Sequence, residues 1–136
     1  MTLTGGCLCG AVRYEVDQDP VWAHSCHCSR CRRITGSAFA ANLFVPLDSL
    51  RYTRGRDDLE TYRPPEAERF ITVFCRRCGS TLPFRNPARG LSGIPMGSLD
   101  DDPHLGLKAQ IWVDSRAPWF EIDPSLPQHP EALGSG

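Results

Sequence analysis

The sequence predicts a mainly β protein made of short strands, with helix limited to a turn or two. Twelve glycines and twelve prolines among 136 residues divide the chain into short segments. Several of these segments alternate apolar and polar residues, which is the pattern of a strand with one buried face. The length suits one domain, and an apolar fraction of 40% is typical of a globular protein.

Eight segments are predicted to form strands. The first alternates Val12, Tyr14 and Val16 with charged residues, so it should bury one face. The second segment, residues 37–45, is ended by Pro46, and the third, residues 51–55, ends at Gly55. The fourth, residues 59–64, stops at the pair of prolines at 64 and 65. The fifth alternates most clearly, and the sixth should pair back onto it. The eight segments are residues 11–16, 37–45, 51–55, 59–64, 69–75, 81–84, 109–114 and 119–122.

The remaining segments carry few strand signals. Residues 86–97 are predicted to be a loop, and residues 98–102, followed by Pro103, a single helical turn. We expect one domain over residues 1–124. Residues 125–136 are rich in proline and glycine, so they are expected to be a C-terminal tail that lies loosely on the surface or is disordered.

Charge and hydropathy exclude several classes of protein. The net charge of −1 provides no basic field for a nucleic acid. The most apolar window, AFAANLFVPL, is too short to cross a bilayer, and the first residues do not resemble a signal peptide. We therefore expect a cytoplasmic protein without nucleic-acid or membrane partners. Thiols stay reduced in the cytoplasm, so its seven cysteines are interpreted as metal ligands.

Four of the cysteines are predicted to form a closed zinc site. The sequence CRRCG, at Cys75 and Cys78, is typical of a zinc knuckle, in which Gly79 can adopt the positive φ of a tight turn. Cys7 and Cys9 can supply the other two ligands. This site would join elements about 70 residues apart, where a cross-link removes much chain entropy.

The other three cysteines, Cys26, Cys28 and Cys31, leave a tetrahedral zinc one ligand short, which is the arrangement of a catalytic site. Other interpretations stay open: unpaired core cysteines, a structural site completed by His24 or His27, or a redox dithiol. His27 lies between two ligands and should point away from their metal.

Residues that follow the three cysteines could contact a substrate. Arg30, Arg32 and Arg33 could bind carboxylates, or they could simply neutralise thiolates or face solvent. Gly36 and Ser37 could donate hydrogen bonds to a substrate, or they could form an ordinary tight turn. Three successive aspartates at 100–102 are interpreted as a solvated turn.

The motifs GGCLCGAVRYEV, HSCHCSRCRRITGSAFAAN, FCRRCGSTLPF and GSLDDDP resemble, in this order, the glutathione-dependent formaldehyde-activating enzymes and the related centromere protein V domain. The resemblance extends from about Gly5 to Ile122. It implies a compact, zinc-bound, Mss4-like fold of short antiparallel strands. It also implies two zinc ions per chain: one structural at Cys7, Cys9, Cys75 and Cys78, and one labile at Cys26, Cys28 and Cys31.

The family is classed among carbon–sulfur lyases, which condense formaldehyde with glutathione to S-hydroxymethylglutathione. The predicted function is therefore a reaction of this class on a glutathione-type thiol. The alternatives are a two-zinc structural or protein-interaction module without catalysis, and a protein that stores or transfers zinc. The chain departs from many relatives in one position, where Gln110 replaces a histidine.

Overall fold

The computed structural model describes residues 2–135 and shows a fold dominated by short strands. The longest strand and the single α-helix each have seven residues, so the predicted mainly β class is confirmed. The elements are β1 Leu3–Gly6, β2 Arg13–Val16, β3 Trp22–Cys26, α1 Ser29–Thr35, β4 Ala40–Pro46, β5 Leu50–Arg54, β6 Leu59–Tyr62, β7 Thr72–Cys75, β8 Thr81–Leu82, β9 Phe84–Asn86, β10 Leu91–Pro95 and β11 Gln110–Ile111.

The strands form three sheets. The largest has the order β11-β3-β4-β10-β9, and the two smaller ones have the orders β1-β2-β5 and β6-β7-β8. Across residues 2–135, strands β11 and β3 pair in parallel and the other pairs are antiparallel. The predicted return of TLPF onto the preceding strand is confirmed by the pairing of Val73 with Leu82.

One hydrophobic core connects all three sheets. The alternation in the first predicted strand is confirmed, because Val12, Tyr14 and Val16 are at most 1% exposed. They belong to the same buried cluster as Leu43 of β4 and Leu82 of β8. Cys7 and Cys75 also lie in this cluster, so the core and the four-cysteine group are continuous.

The predicted loop at 86–97 is wrong, because it contains β10, which lies inside the largest sheet. Gly93 of this strand packs under the ring of Phe84, and a Cβ at Gly93 would lie 2.3 Å from the Phe84 Cζ atom. Gly93, a residue type that ordinarily weakens a strand, is therefore required here by close packing within a sheet.

The C-terminal predictions are corrected in three places. Residues 119–122 do not form a strand. The strand predicted at 109–114 is reduced to two residues, since Trp112 has a φ of 57°. The predicted helical turn comes slightly earlier, at Met96–Ser98. The helix α1, in contrast, begins within the cysteine cluster, where no helix was predicted.

The C-terminal tail lies along the free edge of β11. The backbone N–H of Gln110 donates to the carbonyl of Pro127 at 2.9 Å, and the N–H of His129 donates to the carbonyl of Gln110 at 2.8 Å. Because these bonds extend the largest sheet by one short bridge, the tail is bound rather than loose. No helix in residues 2–135 is long and apolar enough to span a membrane.

Candidate functional site

The structure brings Cys7, Cys9, Cys75 and Cys78 together, with their sulfurs within 4.8 Å of one another. The Cys7 and Cys9 sulfurs are 3.7 Å apart, and those of Cys9 and Cys75 are 3.9 Å apart. Sulfurs bound at about 2.3 Å to one tetrahedral zinc lie about 3.8 Å apart. The four side chains can therefore hold a metal ion, and their spacing fits zinc.

Two tight turns position these four cysteines. In the first turn, the N–H of Val12 donates to the Cys7 sulfur at 3.3 Å. In the second, Gly79 has a φ of 77°, and the N–H of Arg77 donates to the Cys75 sulfur at 3.4 Å. A hydrogen bond with the Ser80 hydroxyl lowers the pKa of Cys78 to about 5. Each of these contacts favours a thiolate, which is the form that binds a metal.

Cys26, Cys28 and Cys31 form a second group with sulfurs within 4.8 Å of one another. Cys26 ends strand β3 and pairs with Ile111 of β11. Cys28 caps the N-terminus of α1, where its sulfur accepts the N–H of Cys31 at 3.4 Å. The end of a central strand and the first turn of a helix thus fix the three thiols. We call them the cysteine trio.

The electrostatics of the cysteine trio favour a cation. Hydrogen bonds from the thiols of Cys26 and Cys31 lower the pKa of Cys28 far below the usual thiol range. Contacts with Cys26 and Cys28 raise the pKa of Cys31. Three adjacent thiolates would repel one another, so the form of the trio that binds a metal requires a positive ion between the sulfurs.

Neither nearby histidine joins the cysteine trio. His27 is buried and its Nε2 lies 3.1 Å from the Ser25 hydroxyl. His24 accepts a hydrogen bond from the Trp22 indole at 2.9 Å. Among residues 2–135, the group of potential metal ligands at this place consists of the three cysteines. All seven cysteines are free, so no disulfide links the trio.

A cleft of about 690 Å³ extends between the two cysteine groups. Cys31 of the trio and Cys7 of the four-cysteine group both line it. Its walls are largely apolar and include Ile34, Phe70 and Phe84. Pockets of this size bind small organic molecules. The trio therefore borders, through Cys31, a cleft that can hold a small molecule.

Comparison with known proteins identifies the family. Residues 2–115 match the family described as glutathione-dependent formaldehyde-activating enzyme. The chain belongs to this family. It is 31% identical over 131 residues to a protein of Halomonas elongata that is provisionally named a glutathione-dependent formaldehyde-activating enzyme, with 90% of this chain and 82% of that protein covered.

A solved structure supports the family fold. It is a crystal structure of a protein from Rhodobacter sphaeroides, with a TM-score of 0.59 and 30% sequence identity to this chain. The similar region covers 73% of this chain and 89% of that protein. The two proteins therefore share their overall architecture.

The residues predicted to bind a substrate lie on or directly after α1, outside the lining of the cleft. The Arg30 guanidinium lies 5.6 Å from the centre of the Phe70 ring and 3.5 Å from the Glu66 carboxylate. The Arg32 Nε is buried, with no hydrogen-bond partner in residues 2–135, and Arg33 is exposed. Their role in substrate binding stays a prediction.

Gly36 and Ser37 complete the turn at the end of α1. Gly36 has a φ of 61°, and its N–H donates to the carbonyl of Arg32 at 2.8 Å. The Ser37 N–H donates to the same carbonyl at 3.3 Å. Both N–H groups are thus used inside the turn, which leaves the Ser37 hydroxyl for any contact with a substrate.

Sequence reasoning missed two functional candidates in the cleft, Arg13 and Asp100. Asp100 was interpreted as part of a solvated turn, but it accepts hydrogen bonds from Arg13 and from the Thr4 hydroxyl. Arg13 and Asp100 are 87 residues apart in sequence. No local pattern could therefore have linked them.

Proposed function

We propose that this protein is a carbon–sulfur lyase that condenses glutathione with formaldehyde to S-hydroxymethylglutathione. The family membership supports the substrate and the reaction class. The observation that carries the proposal is the position of the cysteine trio, which opens through Cys31 into a cleft large enough for a small peptide thiol.

Two zinc ions per chain are part of this proposal. Cys7, Cys9, Cys75 and Cys78 would hold the structural ion, with four protein ligands and a buried Cys75. Cys26, Cys28 and Cys31 would hold the labile ion. A zinc ion bound there would lower the pKa of a substrate thiol and so supply a thiolate nucleophile at neutral pH.

The protein contributes position to the reaction. The cleft, with Phe70 and Phe84 in its walls, would hold the substrate sulfur and the small aldehyde close together. The substrate sulfur gives up its thiol proton and forms a bond to the formaldehyde carbon. The π bond of the carbonyl breaks and its oxygen takes up a proton, so the reaction is a net addition of S–H across C=O. Formaldehyde is small and reactive, so holding the two reactants together accounts for most of the acceleration that the site has to provide.

Substrate contacts from residues on or directly after α1 remain part of the proposal. Among Arg30, Arg32, Arg33, Gly36 and Ser37, Arg30 has the most favourable position, since it stacks over Phe70, which lines the cleft. Its planar fork fits a carboxylate of the substrate. We also propose that the protein acts in the cytoplasm, because its seven free cysteines need a reducing compartment.

The experiment follows the exchange between glutathione and its formaldehyde adduct by NMR, with the zinc-loaded protein and without it. We expect the wild-type protein to accelerate exchange above the spontaneous background and Cys28→Ser to lose this effect while remaining folded. Glu15→Gln, which changes a residue outside the lining of the cleft, should keep it. A folded wild-type protein that leaves the background rate unchanged would favour the structural or interaction module instead.

A further inference from the structure

The cleft contains one isolated pair of charged side chains. Among the residues of the described chain that line the cleft, Arg13 and Asp100 are the only two with an arginine, lysine, aspartate or glutamate side chain. Arg13 belongs to β2 and Asp100 follows the helical turn at Met96–Ser98. The rest of the lining consists of apolar and neutral polar residues, together with Cys7 and Cys31.

The two charged groups are held in a fixed arrangement. The guanidinium of Arg13 contacts both carboxylate oxygens of Asp100, with 3.2 Å between Nη1 and Oδ1. The Thr4 hydroxyl donates to Oδ2 at 2.7 Å, and the Asp100 N–H donates to the Thr4 carbonyl at 2.8 Å. Strand β1 therefore fixes the carboxylate, and the carboxylate fixes the arginine.

This pair still has bonding capacity on its open side. The side chains of Arg13 and Asp100 are 33% and 38% exposed. An arginine has five N–H donors and a carboxylate has about four lone-pair sites. The contacts described above use only part of each set. A ligand in the cleft can therefore add an acceptor to Arg13 and a donor to Asp100.

We propose that the Arg13–Asp100 pair binds the α-amino-acid end of the thiol substrate, with the ammonium on Asp100 and the α-carboxylate on Arg13. This rests on the proposed function, which places the substrate sulfur at the cysteine trio. A peptide such as glutathione carries two carboxylates. Its α-amino-acid end has an ammonium beside a carboxylate and can pair with Asp100 and Arg13 at once, whereas the other carboxylate has no ammonium beside it.

The cleft is lined both by Cys31 and by the Arg13–Asp100 pair, together with apolar residues. A substrate that carries a thiol and, elsewhere, a zwitterion can bind the cysteine trio and the Arg13–Asp100 pair at the same time. A simple thiol such as mercaptoethanol can bind only the trio. The pair would therefore determine specificity, because it selects thiols that carry a free amino acid.

The test uses S-methylglutathione, whose blocked sulfur makes its binding a measure of the remaining contacts. Its dissociation constant is measured by NMR titration of the zinc-loaded protein, beside that of the analogue without the α-amino group. We expect the wild-type protein to prefer the amino-bearing ligand about tenfold, which corresponds to about 1.4 kcal/mol. Asp100→Asn should remove this preference.

Two further measurements complete the design. The wild-type protein should also prefer S-methylglutathione about tenfold over its α-carboxamide, and Arg13→Gln should remove this preference. The proposal therefore remains testable even if Asp100→Asn does not fold. The matched control is Glu15→Gln. Glu15 lies on β2, as Arg13 does, but outside the lining of the cleft, and the substitution breaks its ion pair with Arg51 of β5. It should leave both preferences unchanged.

The outcomes separate this proposal from the proposed function. Equal binding of the analogues by a wild-type protein that accelerates adduct exchange would overturn the role of the pair and leave the function standing. A tenfold preference that is lost in Asp100→Asn would support the pair even if exchange with formaldehyde were not accelerated. The trio would then serve a different reaction of an amino-acid thiol.

Discussion

Replacing Cys75 and Cys78 by serine should destabilise the zinc-loaded protein much more than replacing Cys26 and Cys28. The reason is the length of chain that each metal site closes. The contact between Cys9 and Cys75 joins residues 66 positions apart. Within the cysteine trio, in contrast, Cys26 and Cys31 are only five positions apart.

The magnitudes follow from the entropy of loop closure. In the chain-entropy relation used for cross-links, closing the loop of 66 positions reduces the entropy of the unfolded chain and so stabilises the folded protein by about 4 kcal/mol. Closing a loop of five positions stabilises it by about 2 kcal/mol. A domain is stable by only about 5–15 kcal/mol in total. Losing the long closure should therefore cost about 2 kcal/mol more than losing the short one, which is a large share of the total for a protein at the lower end of this range.

The assay is urea unfolding at a fixed zinc concentration, followed by tryptophan fluorescence. The two double variants are well matched, because each removes one deeply buried cysteine, with exposures of 0% for Cys75 and 7% for Cys26. Chelated proteins provide the control, since the difference between the variants should largely disappear without metal. Equal losses, or a larger loss for Cys26→Ser with Cys28→Ser, would refute the division into a structural and a labile site.

Two further predictions concern the scaffold. Gly55→Ala should cost at least about 1–3 kcal/mol in urea unfolding, because Gly55 has a φ of 82° and a Cβ there would lie 2.1 Å from the Ala11 carbonyl oxygen. Gly97→Ala, which enters open space, should change stability by less than about 0.5 kcal/mol; similar costs for both would contradict this packing. Gln110→Ala should speed hydrogen–deuterium exchange in residues 127–131, because the Gln110 amide donates to the Asp123 carbonyl at 2.8 Å and accepts its N–H at 3.0 Å. Unchanged exchange there would show that the tail does not depend on Gln110.

The position of Gln110 bears on the departure from the family pattern that the resemblance led us to expect at this residue. Its side chain is 4% exposed and bonds to the chain at residue 123, and it does not belong to the lining of the cleft. In this chain the residue therefore attaches the C-terminal tail to β11. Strand β11 in turn lies beside Cys26, so Gln110 supports the cysteine trio from outside the cleft.

Local patterns predicted the parts of the structure that depend on neighbours in sequence. The alternation through Val12, Tyr14 and Val16 requires only a sheet with one buried face, and it is confirmed. The grouping of the seven cysteines could also be predicted, since close spacing brings thiols together within each motif. Pairing the first motif with the last needed one further step, the count of ligands for a tetrahedral ion.

The elements that were missed depend on long-range packing. Strand β10 contains Ser92 and Gly93, which suggest a loop until the ring of Phe84 is placed over them. The Arg13–Asp100 pair exists because the bridge between Gly5 and Leu99 brings the two segments together. Such contacts between distant segments leave no periodic signal in the sequence.

The most direct test of the account is cadmium-113 NMR of protein in which both metal sites are loaded with cadmium. The account predicts two resonances, one from a site with four protein sulfurs and one from the cysteine trio. Adding glutathione should shift only the second resonance toward the first, because a fourth sulfur then completes its ligand set. A single resonance, or two that stay unchanged at saturating glutathione, would contradict the claim that the trio binds the substrate thiol.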